Sequence, residues 1–222
     1  MSGGAEQTLR DGLRSLGLNL DDRRIAQLLA YLAMIGKWTQ VYNLTAVRDP
    51  SEMMTHHLLD SLAAVLPLNR QLKQMGLETG ARLLDVGAGA GLPGAVIAIC
   101  CPNVAVTCVD AVAKKAAFIK QAALELKLVN LAGLHKRVEQ VTEPCDVICS
   151  RAFASLDDFT KWSAAALAPG GVWMAMKGKS PTSEIDALDR GIEVFHVEQL
   201  TVPGLDAERC IVWMRPVEAP TT

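Results

Sequence analysis

The sequence contains no uninterrupted apolar run near the roughly 18 residues that a helix needs to span a bilayer. Its opening, Met1-Ser2-Gly3-Gly4-Ala5-Glu6, has neither the basic nor the apolar stretch of an export signal, so the protein is expected to stay in the cytoplasm, away from membranes. Charge of either sign is not in excess. Lys plus Arg is 22 and Asp plus Glu is 24, a formal net charge of −2, which excludes a general attraction to polyanions and requires any nucleic-acid partner to find a local patch. The six cysteines include no CxxC pair, and His56, His57, His135 and His196 show no ligand spacing with them. Buried reduced thiols are expected, and no metal. There is no internal repeat and no low-complexity linker.

What the 222 residues do have is apolar material: half are hydrophobic and 21% are charged, enough for a sizeable core and incompatible with disorder. The first third reads as helix. Asn19 or Asp21 caps a segment in which Ile25, Leu28, Leu29, Leu32, Ile35 and Trp38 recur at three and four, one face of an amphipathic helix. Asp49-Pro50-Ser51 starts a second helix, predicted to stop before Pro67.

Near residue 80 the period changes. Arg82–Val86 is a short apolar strand that runs into a glycine-rich turn. Helix is predicted over 92–101, strand over 104–109, helix over 114–128, and strands at 131–136, 147–149 and 172–176, with a helix over 156–167. The apolar runs 194–197 and 210–213 finish the sheet. Alternating strands and helices imply parallel βαβ units with helices on both faces. The expected architecture is a doubly wound, Rossmann-like α/β sheet (76–216) with a helical N-terminal segment (1–75) packed on it and a frayed tail (217–222).

Asp85-Val86-Gly87-Ala88-Gly89-Ala90-Gly91-Leu92-Pro93-Gly94 is the most informative stretch. Glycines let the backbone turn sharply and approach a ligand, and the following helix aims its first N–H groups at the same place. The literal G-x-G-x-x-G from Gly89 to Gly94 also suits a dinucleotide. Asp85 argues against that ligand: a strand-end carboxylate accepts from an ammonium group and sits well near a sulfonium, but repels a pyrophosphate. S-adenosylmethionine is the favoured cofactor. Asp110, closing the next strand, is placed to take ribose hydroxyls in either case. A nicotinamide-dependent oxidoreductase would need a hydride-transfer partner. Tyr31 and Tyr42 both precede the sheet, and no Tyr-x-x-x-Lys occurs. A module that binds cofactor and RNA without turnover is the other alternative.

Five segments occur in a telling order: Asn43-Leu44-Thr45-Ala46-Val47-Arg48-Asp49, His57-Leu58-Leu59-Asp60-Ser61, the glycine turn from Asp85 to Gly94, Ser150-Arg151-Ala152-Phe153-Ala154, and Lys177-Gly178. Together they resemble the RsmG (GidB) family of bacterial small-subunit ribosomal RNA methyltransferases, over roughly residues 20 to 215. The resemblance implies a class I methyltransferase fold and methyl transfer from S-adenosylmethionine to guanine N7 of 16S ribosomal RNA, free or in the small subunit, by a monomer. It puts cofactor contacts on Gly87, Leu92, Val138, Glu139 and Arg151; Gly89, Gly91, Asp85 and Asp110 join them from the chemistry above. His56 and Ala113-Lys114-Lys115 depart from the family's frequent Arg and Gly-Lys-Arg, and Lys lacks the bidentate fork of Arg.

Guanine N7 offers a free lone pair, so no general base is required and no catalytic acid–base residue is assigned. The charge is unevenly spread. Residues 110 to 137 carry six basic and two acidic side chains, a local +4, whereas 138 to 222 carry seven basic and thirteen acidic, −6. Arg48, His57, Lys114, Lys115, Arg137, Arg151 and Lys177 are therefore expected to meet RNA phosphates around the cofactor mouth. Phe153 either stacks on a base or seals the core.

Overall fold

The computed structural model describes residues 2–217; residues 218–222 of the expected tail lie outside them. The chain opens with helices α1 (Ser2–Ser15) and α2 (Asp22–Tyr42). Asp21 caps α2 by accepting from Arg24 N at 2.8 Å, and Asn43 ends it in the left-handed region with φ of 50°. The fully buried stripe of α2 is Ile25, Leu28, Tyr31, Ile35 and Thr39. It is turned slightly from the purely apolar face, because Tyr31 finds hydrogen-bond partners inside.

Next comes one irregular helical run: α3 (Pro50–Met53), a π-helical turn (Met54–Leu59) and α4 (Asp60–Leu62), followed by α5 (Val65–Gln74). Pro67 does not stop a helix, as the sequence predicts, but lies in the first turn of α5. Backbone N–H groups there have no intrahelical acceptor, so proline costs little.

The remaining elements alternate: β1 (Arg82–Val86), α6 (Gly94–Cys100), β2 (Ala105–Asp110), α7 (Ala113–Glu125), β3 (Leu131–His135), β4 (Cys145–Arg151), α8 (Leu156–Ser163), β5 (Leu167–Lys177), α9 (Thr182–Asp186), β6 (Ile192–Leu200) and β7 (Arg209–Pro216). One seven-stranded sheet results, in the order β3-β2-β1-β4-β5-β7-β6. The first five strands are parallel, and β7 runs antiparallel to both β5 and β6. β5 begins earlier than predicted: the partners of Cys145 and Val147 are Leu167 and Val172, so 168–171 form an irregularity inside the strand pair.

Successive strand residues face opposite sides, and both sides are covered. Leu83, Val106, Val147 and Met174 share one cluster with Leu9, Leu28, Leu62 and Phe118 of the helices. Leu84, Val109, Ile148 and Trp173 share the other with Leu156 and Phe159 of α8. The N-terminal helices thus complete one face of the sheet. The strand order reverses between β1 and β4, and ligands of such sheets bind beyond the carboxyl ends at that point.

Candidate active site

The turn after β1 lies at this reversal. Gly87 has φ of +64°, and a Cβ there would collide with the ring of Phe153, which comes from the loop after β4. Only glycine combines that backbone angle with so close a ring. A Cβ on Gly94 would meet Cys108 Sγ at 2.5 Å and Asp85 Oδ2 at 2.8 Å, so the start of α6 sits directly on β1 and β2.

Two cavities meet at Gly87. The larger, about 470 Å³, is walled by Gly87, Gly89, Leu92, Arg151, Lys177 and Arg209, together with Leu44, Thr45, His56, His57 and Asp60 from the N-terminal segment. The smaller, about 240 Å³, is walled by Gly87, Asp110, Lys136, Arg137, Val138, Glu139, Phe153 and Trp162. Phe153 lies between them, edge-on to Phe159 and Trp162 with ring centroids 6.5 and 5.9 Å apart. It both contacts the core and edges the smaller cavity.

The expected cofactor residues separate into two groups. Gly87, Gly89, Leu92, Asp110, Val138, Glu139 and Arg151 line one cavity or the other. Asp110 also braces the turn, accepting from Gly89 N at 3.0 Å and from Val112 N at 2.8 Å, with Lys115 Nζ 3.7 Å away. Asp85 and Gly91 line neither. Asp85 is completely buried beneath the turn, where Oδ2 accepts from Gly94 N at 2.8 Å and Oδ1 has no partner. Burial pushes its pKa up to about 7. Asp85 therefore holds the turn from beneath. Gly91 packs on Tyr31, whose hydroxyl donates to the carbonyl oxygens of Ala90 and, at 3.1 Å, Gly91.

The residues expected to meet phosphates stand in differing surroundings. His57 is buried, with Nε2 2.8 Å from Thr45 Oγ1; burial first, then the Arg151 cation, lowers its pKa to about 4. It is neutral near pH 7 and presents no charge. Lys177 Nζ donates to Ala154 O at 2.9 Å and to Glu184 Oε2 at 2.8 Å, so it holds the loop after β4 instead of reaching outward. Arg48 donates to Asn43 Oδ1 at 2.9 Å and lines a separate apolar cavity between α1, α2 and α3. Lys114, exposed, lines neither of the two cavities at the turn, and Lys115 is held near Asp110. Arg137 is exposed at the rim of the smaller cavity, 4.0 Å from Glu139.

The sequence reading passes over Asp60, Arg209, Glu184 and the hydroxyl of Tyr31. Asp60 is a buried acid where the π-helical turn meets α4, read from the sequence only as part of the segment His57–Ser61. Its Oδ2 takes Arg151 Nη1 at 2.6 Å and its Oδ1 takes Arg209 Nε at 2.9 Å. Arg151 Nη1 also donates to His56 O at 2.8 Å, from the wider π-helical turn.

The residues present fit S-adenosylmethionine: a glycine floor without side chains, a strand-end acid for ribose and two cavities that share Gly87 in their walls. Among solved structures, the fold resembles magnesium protoporphyrin IX methyltransferase from Synechocystis PCC 6803 with bound SAM, at a TM-score of 0.59 and 14% identity, covering 89% of this chain and 98% of that one. Sheet order, glycine turn and strand-end acid are those of the class I methyltransferase fold. A family model described as rRNA small subunit methyltransferase G (GidB) matches residues 24–212. The ribosomal RNA small subunit methyltransferases G of Polaromonas naphthalenivorans (strain CJ2) and Polaromonas sp. (strain JS666 / ATCC BAA-500) are 75% and 73% identical, over 95% and 96% of this chain and 95% and 94% of theirs. The chain belongs to the GidB family.

Proposed function

We propose that the enzyme transfers the methyl group of S-adenosylmethionine to N7 of a guanine in 16S ribosomal RNA, working in the cytoplasm as a monomer on the small subunit or its RNA. The observation that carries this reading is the larger cavity, which joins the glycine turn to a wall of arginine side chains. No helix among the described residues is long and apolar enough to cross a membrane.

When bound, S-adenosylmethionine supplies a sulfonium-activated methyl group. Gly87, Gly89 and Leu92 form the floor for its methionine end, and Asp110, Val138 and Glu139 line the side suited to ribose and adenine. Guanine N7 attacks with a lone pair that is already free, so neither His57 nor Asp85 is needed to remove a proton. The contribution of the chain is alignment of nitrogen, methyl carbon and sulfur. Leu44, Thr45, His56 and His57 wall the larger cavity on the side of the N-terminal segment. Lys136 and Arg137 at the smaller cavity extend the cationic surface toward RNA phosphates.

Calorimetry with S-adenosylmethionine and with NADH, followed by transfer of labelled methyl to isolated small-subunit and large-subunit RNA, tests the proposal. Binding of S-adenosylmethionine alone and label on small-subunit RNA are expected. Binding of NADH, or cofactor binding with no label on RNA, contradicts it.

A further inference from the structure

We propose that Asp60 yokes Arg209 to Arg151 as a two-guanidinium fork that takes one phosphate of the RNA strand carrying the target guanine. This rests on the RNA methyltransferase reading above. Arg151 ends β4 and Arg209 begins β7, and β5 lies between those strands. Lys177, the last residue of β5, pairs with Cys210, so Arg209 stands at the same sheet edge as the glycine turn. Asp60 belongs to the N-terminal helical segment, yet it reaches both arginines, one with each carboxylate oxygen.

Charge balance argues for an anion. Asp60 is 3% exposed, and the side chains of Arg151 and Arg209 are 18% and 23% exposed. Two guanidinium charges share one bonded carboxylate, that of Asp60, and Asp85, which also feels Arg151, is buried with its pKa raised to about 7, so positive charge stays in excess. Lys177 does not change the sum, because Glu184 balances it, and His57 is neutral. A half-buried uncompensated cation is costly until an anion arrives. Arg151 uses only Nη1 and Arg209 only Nε and Nη1 in bonds to protein acceptors among the described residues. The remaining N–H groups suit the planar, two-point geometry of a phosphate. Arg209 lines the larger cavity, beside Asp60 and the end of β5, and is absent from the wall of the smaller one. The anion proposed is an RNA phosphate and not the cofactor's carboxylate, and the cofactor-affinity arm of the test separates the two.

The test measures affinity for small-subunit RNA as a function of KCl, and S-adenosylmethionine affinity by calorimetry without RNA. Arg209→Gln is expected to weaken RNA binding about tenfold, to make the slope of log K against log salt shallower by roughly 0.7–0.9, and to leave cofactor affinity within about twofold. Arg209→Lys keeps the slope and loses affinity, which also covers the case in which the glutamine variant does not fold. Asp60→Glu keeps the charge sum but moves the carboxylate that spaces the two arginines, so RNA affinity falls while the slope stays. An unchanged slope in Arg209→Gln, a loss of cofactor affinity in that variant, or unchanged RNA affinity in Asp60→Glu overturns the fork. Wild-type methyl transfer to the same RNA is measured first; its absence overturns the functional reading instead.

Discussion

The ring of Phe153 stands over Gly87 where any other residue would place its Cβ, and the two cavities meet beneath that contact. Gly87→Val is expected to push the ring aside and to force a β-branched residue to positive φ, at about 1–2 kcal/mol for the backbone alone. Cofactor binding should be lost to below calorimetric detection while the far-ultraviolet circular dichroism stays that of the wild type. Retained micromolar binding would remove the turn from the cofactor site.

Tyr31 links the N-terminal helices to the same turn through the carbonyls of Ala90 and Gly91. Tyr31→Phe leaves the Ala90 carbonyl without that donor, a loss of about 1–3 kcal/mol in urea unfolding. Cofactor affinity should fall with it, because Gly89 and Leu92 flank the loosened carbonyls. Full stability with full affinity would show that α2 does not brace the turn.

Lys177 tests the division between holding a loop and meeting RNA. Lys177→Met removes the bonds to Ala154 O and Glu184 and is expected to lower kcat by loosening the segment that carries Arg151 and Phe153. The salt slope of RNA binding should not change, since the charge was already balanced by Glu184. A shallower slope would return Lys177 to the RNA surface.

Two buried groups give opposite pH dependences. Asp85 rises to about 7, so the folded state holds its proton more firmly than the unfolded chain; that contribution is full below about pH 4 and is lost as pH rises through 7. His57 falls to about 4, so its contribution is present above about pH 6.5 and is lost as pH falls through 4. The two oppose each other between these limits. In urea unfolding across this range, Asp85→Asn should lose more stability on acidification than the wild type, and His57→Gln should lose less. Identical slopes in all three proteins would contradict both assignments.

The sheet was legible because its strands are buried on both faces and read as apolar runs closed by Asp85, Asp110 and Arg151. The early part was less so. Pro67 looked like a helix end because proline's missing N–H is harmless only in a first turn, and the sequence does not announce where a turn begins. Arg209 could not be connected with Asp60, 149 positions away, before the strand order put β7 beside β5. The sequence marks Asp85 at the turn, but not its bond to Gly94 N: a carboxylate near a strand end can face a ligand or hold its own loop, and the fold brings Gly94 onto it. The partners of Lys177 and His57 are not legible for a similar reason, since Glu184, Thr45 and the depth of burial come from other elements of the chain.

The most direct measurement is mass mapping of methylated guanines in ribosomal RNA from cells with and without this gene. The expected result is one N7-methylguanine in 16S ribosomal RNA that disappears with the gene and returns with the wild-type protein but not with Gly87→Val. An unchanged set of 16S methylguanines, or loss of methylation at another atom or in another RNA, would contradict the account.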